Sequence, residues 1–170
     1  MLHERMEEAL NRQINAELFS AYLYLSMSAS FAALGLPGGA NWMRVQAQEE
    51  LFHASKFYDY VIERNGHVAL QAIDEPPRDW TTPISMFEDA LEHEQKVTGL
   101  IYDLTDLSVE LRDHATNNIL QWFIAEQVEE EASADEMVQR LRLAAGSPGA
   151  LFQIDSEMAG RVYTPPAAEA

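Results

Sequence analysis

Four long stretches of this chain repeat apolar residues at steps of three and four, and they are joined by a short, a long and a short connection. That pattern narrows the fold more than any other feature. Steps of three and four place side chains on one face of a helix, and connection length decides which helices lie antiparallel. The first helix is expected from about Leu2 to Leu34, stopped by Gly35, Pro37, Gly38 and Gly39. The second runs from about Ala40 to Arg64 and ends at Asn65-Gly66. The third opens at Thr82-Pro83, a capping residue followed by proline at the first helical position, and runs to about Leu107. The fourth runs from about Leu111 to Ala145 and stops at Gly146-Ser147-Pro148-Gly149. A short apolar segment, "ALFQIDSEMAG", follows. One domain is expected over residues 1–160, with a flexible tail over 161–170.

The short connections make two antiparallel hairpins. Between them lies "HVALQAIDEPPRDWT", which has no sustained period and contains Pro76-Pro77. About 16 extended residues reach roughly 50 Å, whereas a helix of about 27 residues is roughly 40 Å long. The connection can therefore run the length of a bundle and start the third helix parallel to the second. The expected fold is an all-α four-helix bundle with one long crossover and a short fifth helix at the C-terminus.

Each long helix carries an inward stripe that is interrupted by polar residues near its middle. The first reads Leu10, Ile14, Glu17, Ala21, Tyr24, Ser28 and Phe31, and the second Met43, Gln46, Glu50, His53 and Phe57. The third reads Phe87, Leu91, Glu94, Thr98, Ile101 and Thr105, and the fourth Leu120, Phe123, Gln127, Glu130, Ala134, Met137 and Leu141. Residues 17 and 50–53 lie about equally far from the turn near Gly35, and residues 94 and 127–130 about equally far from a turn near Leu111. In two hairpins they meet in one layer. An offset of 77 residues maps Glu17 onto Glu94, Glu49 and Glu50 onto Glu126 and Gln127, and His53 onto Glu130.

Carboxylates buried together cost free energy unless something neutralises them. The stripes offer no Lys or Arg at that height. Mutual protonation is one escape, because crowded carboxylates raise each other's pKa. Metal is the better one: two divalent cations balance Glu17, Glu50, Glu94 and Glu130, and neutral His53 adds a nitrogen donor. Glu50 and His53, at i and i+3, share a face and can hold one ion or neighbouring ions. Oxygen-rich ligands with one imidazole suit iron or manganese. A lone Glu-x-x-His is a weak signal, and the conjunction across four helices is what carries the reading. Tyr24 suits either a core tyrosine or a donor beside the metals. Met43 and Met137 are read as packing, and His3, His67, His93 and His114 as surface residues. The run "EQVEEE" would flank the layer with Glu126 and Glu129, joined by Glu49 from the second helix, and could hold another cation.

The net charge of −17 rules out a general basic surface for nucleic acid. It fits either solubility or affinity for cations. No run reaches the roughly 20 apolar residues of a membrane span. The absence of cysteine excludes disulfides, iron–sulfur clusters and Cys-ligated zinc, and with no apolar leader at the N-terminus a cytoplasmic location is expected.

The motifs "NAELFSAYLYLSMS", "EELFHASKF", "HEQKVT", "QWFIAEQVEEE" and "LFQIDSEM" together resemble the bacterial non-haem ferritins over nearly the whole chain. The resemblance implies a ferritin-like bundle that stores and detoxifies iron, oxidising Fe(II) with O2 or H2O2 at an intrasubunit di-iron centre. It implies that Glu17, Glu50 and His53 hold the first iron, with Glu50 bridging, and that Glu94 and Glu130 hold the second, with Gln127 alongside. It implies a third iron site at Glu49, Glu126, Glu129 and Glu130, a tyrosine beside the centre at Tyr24, and a homo-oligomeric shell of 24 subunits filled with ferric mineral.

Departures from neighbouring families are also informative. Gln127-x-x-Glu130 stands where bacterioferritins carry a second Glu-x-x-His, and Leu51 where they carry a haem-ligating Met, so no haem is expected. Rubrerythrins add a Cys-rich iron domain, which this chain lacks. Asn117 and Leu120 stand where many animal ferritins place acidic channel residues, which leaves the entry route open. Leu18, Phe19, Tyr22 and Leu25, together with Leu151, Phe152, Ile154 and Met158, are expected to meet partner subunits. The residues also allow a di-iron or di-manganese oxidase acting on an organic substrate, a shell with a damaged oxidation centre, or an acidic helical interaction protein without metal.

Overall fold

The structure is a computed structural model describing residues 2–165, and positions 166–170 of the expected tail lie outside the described residues. Five helices follow in order: α1 Glu4–Ala33, α2 Pro37–Glu63, α3 Pro83–Glu110, α4 His114–Leu143 and α5 Pro148–Met158. Thr82 caps α3 by accepting from the Ser85 amide, and Asp113 caps α4 by accepting from the Thr116 amide. Arg112, at φ 54°, makes the left-handed turn between those two helices.

Pairings along the helices fix their directions. Ser28 Oγ donates to the Ala40 carbonyl and Asn11 Nδ2 to the His67 carbonyl, so α1 and α2 run antiparallel. Contacts of Asn117 with Ser108 and of Gln127 with Glu94 do the same for α3 and α4. Arg5 meets Glu110 while Tyr24 meets Glu94, which sets α3 antiparallel to α1 and hence parallel to α2. The long crossover is therefore real. Residues 64–82 travel up α1, pinned at one end by Glu7 and Asn11 to His67 and Ala69, and at the other by Ser26 to the Pro77 carbonyl. Trp80 Nε1 then donates to Asp89 Oδ2 at 2.6 Å on α3.

The sequence places the start of α2 at Ala40, but the helix begins at Pro37. Gly38 and Gly39 do not stop it; they let neighbours in. A Cβ on Gly38 would lie 1.6 Å from the Asp155 carbonyl oxygen, and one on Gly39 2.3 Å from the Phe31 ring. Asp155 of α5 uses that closeness to accept from the Gly39 amide at 2.8 Å, placing a carboxylate at the positive end of α2.

The expected inward stripes of α1, α2 and α4 are buried throughout. In α3 the seam instead uses Ala90, Val97 and Leu104, while Leu91 and Thr105 sit half-buried at its flanks. A straight helix drifts off a strict three-and-four pattern, so the outer members of the stripe rotate away from the centre. The apolar core divides into two clusters. One gathers Tyr24, Phe31, Met43, Phe87, Met137 and Ile154 towards α5, and the other gathers Leu10, Phe57, Ile101, Leu120 and Phe123 at the opposite end. Met43 and Met137 pack as expected. No helix among the described residues is long and apolar enough to cross a membrane.

Candidate metal centre

Between the two apolar clusters lies a polar layer. Glu17, Glu50, His53, Glu94 and Gln127 are each at most 4% exposed, and Glu130 is 9% exposed. All come from mid-helix positions, one or two from each long helix, so the layer exists because four registers coincide.

The layer has two halves. In the first, single donor atoms of Glu17, Glu50 and His53 lie within 4.8 Å of one another. Glu17 Oε1 accepts from Gln13 Nε2 at 2.8 Å, and His53 Nδ1 lies 3.4 Å from Glu50 Oε2. Among the described residues, no donor group hydrogen-bonds Glu17 Oε2 or Glu50 Oε1. In the second half, Glu94 takes the Tyr24 hydroxyl on one oxygen and Gln127 Nε2, at 3.3 Å, on the other. Glu130 Oε2 accepts from Gln46 Nε2 at 2.5 Å. No lysine or arginine is buried among the described residues.

The electrostatics follow from this crowding. Burial, then the charge on Glu50, pushes the Glu17 carboxyl up to about 8. Burial, then Glu94, pushes Glu130 up to about 8. Burial raises Glu94 to about 7, with the Tyr24 and Gln127 hydrogen bonds pulling the other way. Glu50 is raised well above the carboxylate range by burial and then by Glu94 and Glu130. Tyr24 is raised well above its ordinary value by burial and by the charge of Glu94, which keeps it a hydroxyl donor. A site that carries its acids only against such penalties, with orphaned oxygens turned inward, fits divalent cations.

Beside the layer a cleft of about 220 Å³ is lined by Glu49, Glu126, Glu129 and Glu130, with Phe52, His53, Ser133, Arg161, Tyr163 and Thr164. The three flanking acids expected from the sequence thus share one cleft with Glu130. Burial raises the carboxyls of Glu49 and Glu126, and Arg161 opposes the rise at Glu49.

Several side chains depart from the sequence expectation. His93 is expected at the surface, where His3, His67 and His114 do lie. It is instead half-buried, with Nε2 2.8 Å from Ser20 Oγ and its ring edge-on to Tyr24. Its neighbour Glu94 faces the layer, and the next position round the helix necessarily lies at the α1–α3 seam. Leu120, set against a channel position, is fully buried in the core of its own subunit. Ile154 and Met158 are buried within the chain, while Phe152, Tyr22 and Leu25 are 73%, 50% and 48% exposed. Gln13, Gln46 and Arg161 touch the site acids without any expected role; only the stripe position of Gln46 carries a signal in the sequence.

Four packed helices around a buried carboxylate–imidazole layer define the class of bundle proteins that build metal centres in their cores. Residues 7–144 match the family described as a ferritin-like domain. A bacterial non-heme ferritin of Bacteroides fragilis (strain 638R) is 43% identical over 161 residues, covering 95% of this chain and 100% of that protein. One from Staphylococcus aureus (strain MRSA252) is 36% identical over 163 residues, covering 96% and 98%. Among solved structures, an engineered closed form of the Archaeoglobus fulgidus ferritin aligns with a TM-score of 0.95 at 52% identity, covering 96% of this chain and 100% of that one. An open pore ferritin from the same archaeon aligns with a TM-score of 0.94 at 52% identity, covering 95% and 100%. The chain belongs to the ferritin family.

Proposed function

We propose that this chain is a ferroxidase and iron-storage subunit. Fe(II) is its substrate. Glu17, Glu50 and His53 take one ferrous ion, Glu94 and Glu130 take a second, and Glu50 bridges them. Gln127 and Tyr24 hold the Glu94 carboxylate in place. The observation that carries the reading is the pair of unpartnered buried oxygens, Glu17 Oε2 and Glu50 Oε1, in a layer without a buried Lys or Arg. Binding of divalent iron displaces protons from acids held neutral by burial and replaces an unfavourable state with a compensated one.

Each bound ferrous ion gives one electron. Dioxygen accepts two electrons and, with two protons, leaves as hydrogen peroxide; peroxide can serve as the oxidant in a further round. The protein supplies ligand geometry and charge, and the redox chemistry belongs to iron. Ferric ions then leave by way of the cleft of Glu49, Glu126, Glu129 and Glu130, read as a third iron site, and hydrolyse to a hydrated oxide inside a shell of identical subunits. Tyr22, Leu25 and Phe152 offer exposed apolar surface for that assembly. Membership of the ferritin family favours a shell of identical subunits, and we infer 24 subunits and no haem.

An oxidase acting on an organic substrate would need an apolar pocket at the metals. The cleft that reaches His53 and Glu130 is mostly polar, with four carboxylates among its ten lining residues, and suits cations. Anaerobic titration with Fe(II), followed by oxygen, tests the proposal. Rapid appearance of a diferric absorption band without any organic substrate is expected, and its absence would overturn the reading.

A further inference from the structure

The acidic cleft already carries a cation of its own. Arg161, three residues beyond α5, reaches back over α2. Its Nη2 donates to Glu49 Oε2 at 2.6 Å and its Nη1 to Gln46 Oε1 at 2.8 Å. The guanidinium lies 4.3 Å from the centroid of the Trp42 ring. Its backbone is tied down too, the Arg161 carbonyl accepting from Asn41 Nδ2 at 2.9 Å. Gln46 carries the contact inward, because its other amide atom, Nε2, donates to Glu130. Among the described residues that line the cleft, Arg161 is the only lysine or arginine, against four carboxylates.

We propose that Arg161 is a tethered counter-cation which occupies Glu49 in the metal-free protein and is displaced when a divalent cation enters the cleft. This rests on the reading of the cleft as an iron site. A guanidinium has donors and no acceptor, so it can only compete with a metal for Glu49 Oε2. The two cations also repel when both sit against Glu49. When the metal arrives, Arg161 gives up Glu49 but keeps the Trp42 face and the Asn41 anchor, so it returns once the ion has moved on. The cleft thereby holds cations weakly and passes them along. The Arg161 and Glu49 side chains are each 25% exposed, and pairs of that exposure are modest. Freeing Glu49 should tighten the cleft site by about 1.5-fold to fivefold.

The test is calorimetric titration of the assembled protein with zinc(II), which is redox-inert, in the unaltered chain, R161Q and R161K. The expected result is a tighter weak step in R161Q and an unchanged one in R161K. An equal or looser weak step in R161Q would show that Arg161 merely braces the site and would overturn the proposal. Loss of the weak step in an E126Q/E129Q variant assigns it to the cleft, whereas its persistence there would overturn the cleft reading itself. A zinc-soaked crystal of the unaltered protein tests the displacement without any variant of Arg161. Zinc on Glu49 with the guanidinium moved away supports the displacement, and zinc in the cleft with the Arg161–Glu49 contact intact refutes it.

Discussion

Replacing Glu17 by Gln should make the metal-free protein more stable and the metal-binding protein worse. Glu17 is 1% exposed, and its carboxyl titrates at about 8 in the folded chain against an ordinary value of 4.5. A raised folded pKa means stability that is fully present below the unfolded value and lost as pH rises through the folded one. At pH 7 the unfolded glutamate is ionised and the folded one is still mostly protonated. The 2.5 units between 4.5 and 7, at roughly 1.4 kcal/mol each, put the cost near 3 kcal/mol. At pH 5 only about half a unit separates solution from the unfolded value, so the cost falls below about 1 kcal/mol. Glutamine keeps the shape of the side chain, and its carbonyl oxygen can still accept from Gln13 Nε2, as Glu17 Oε1 does at 2.8 Å. E17Q removes the cost and little else. Urea unfolding of chelator-treated protein should therefore show E17Q more stable than the unaltered chain by about 2–3 kcal/mol at pH 7 and by under about 1 kcal/mol at pH 5. Adding zinc at about one hundred times its dissociation constant should raise the unaltered protein by about 2.7 kcal/mol and the variant by far less. A destabilised E17Q at pH 7, or a gain of equal size at both pH values, would refute the picture of Glu17 as an acid held against its chemistry for the sake of a metal.

The other acids of the layer give a wider pH signature. With Glu17 and Glu130 raised to about 8 and Glu94 to about 7, metal-free stability should fall as pH rises from about 4.5 to 8. Metal binding should release more protons at pH 6.5 than at pH 9, as measured by calorimetry in buffers of different ionisation enthalpy. Tyr24→Phe removes the hydroxyl donor from Glu94. Zinc affinity should drop by about tenfold at pH 6.5 and recover by pH 8.5, and a loss independent of pH would exclude this role. Gly38→Ala drives a Cβ into the Asp155 carbonyl, so α5 should detach at a cost of about 1–3 kcal/mol, seen as a lower urea midpoint and as altered assembly by size-exclusion chromatography.

The order of helices, the long crossover and the coincidence of Glu17, Glu50, His53, Glu94, Gln127 and Glu130 could be read from the chain because they depend on local periodicity and on reach. Periodicity of 3.6 and the span of a linker are properties of sequence. What depended on contacts between distant residues could not be read. The glycines before Ala40 look like a stop until Asp155 and Phe31 arrive from α5 and α1. His93 looks exposed until Ser20 closes over it. Arg161 looks like tail until it meets Gln46 and Glu49, 115 and 112 residues earlier in the chain. The chain by itself determined which residues face inward on α1, α2 and α4 and at the middle of α3, but not at the flanks of α3. Only the tertiary structure decided which oxygens find partners, because satisfaction of a buried charge is a matter of what the other helices bring to it.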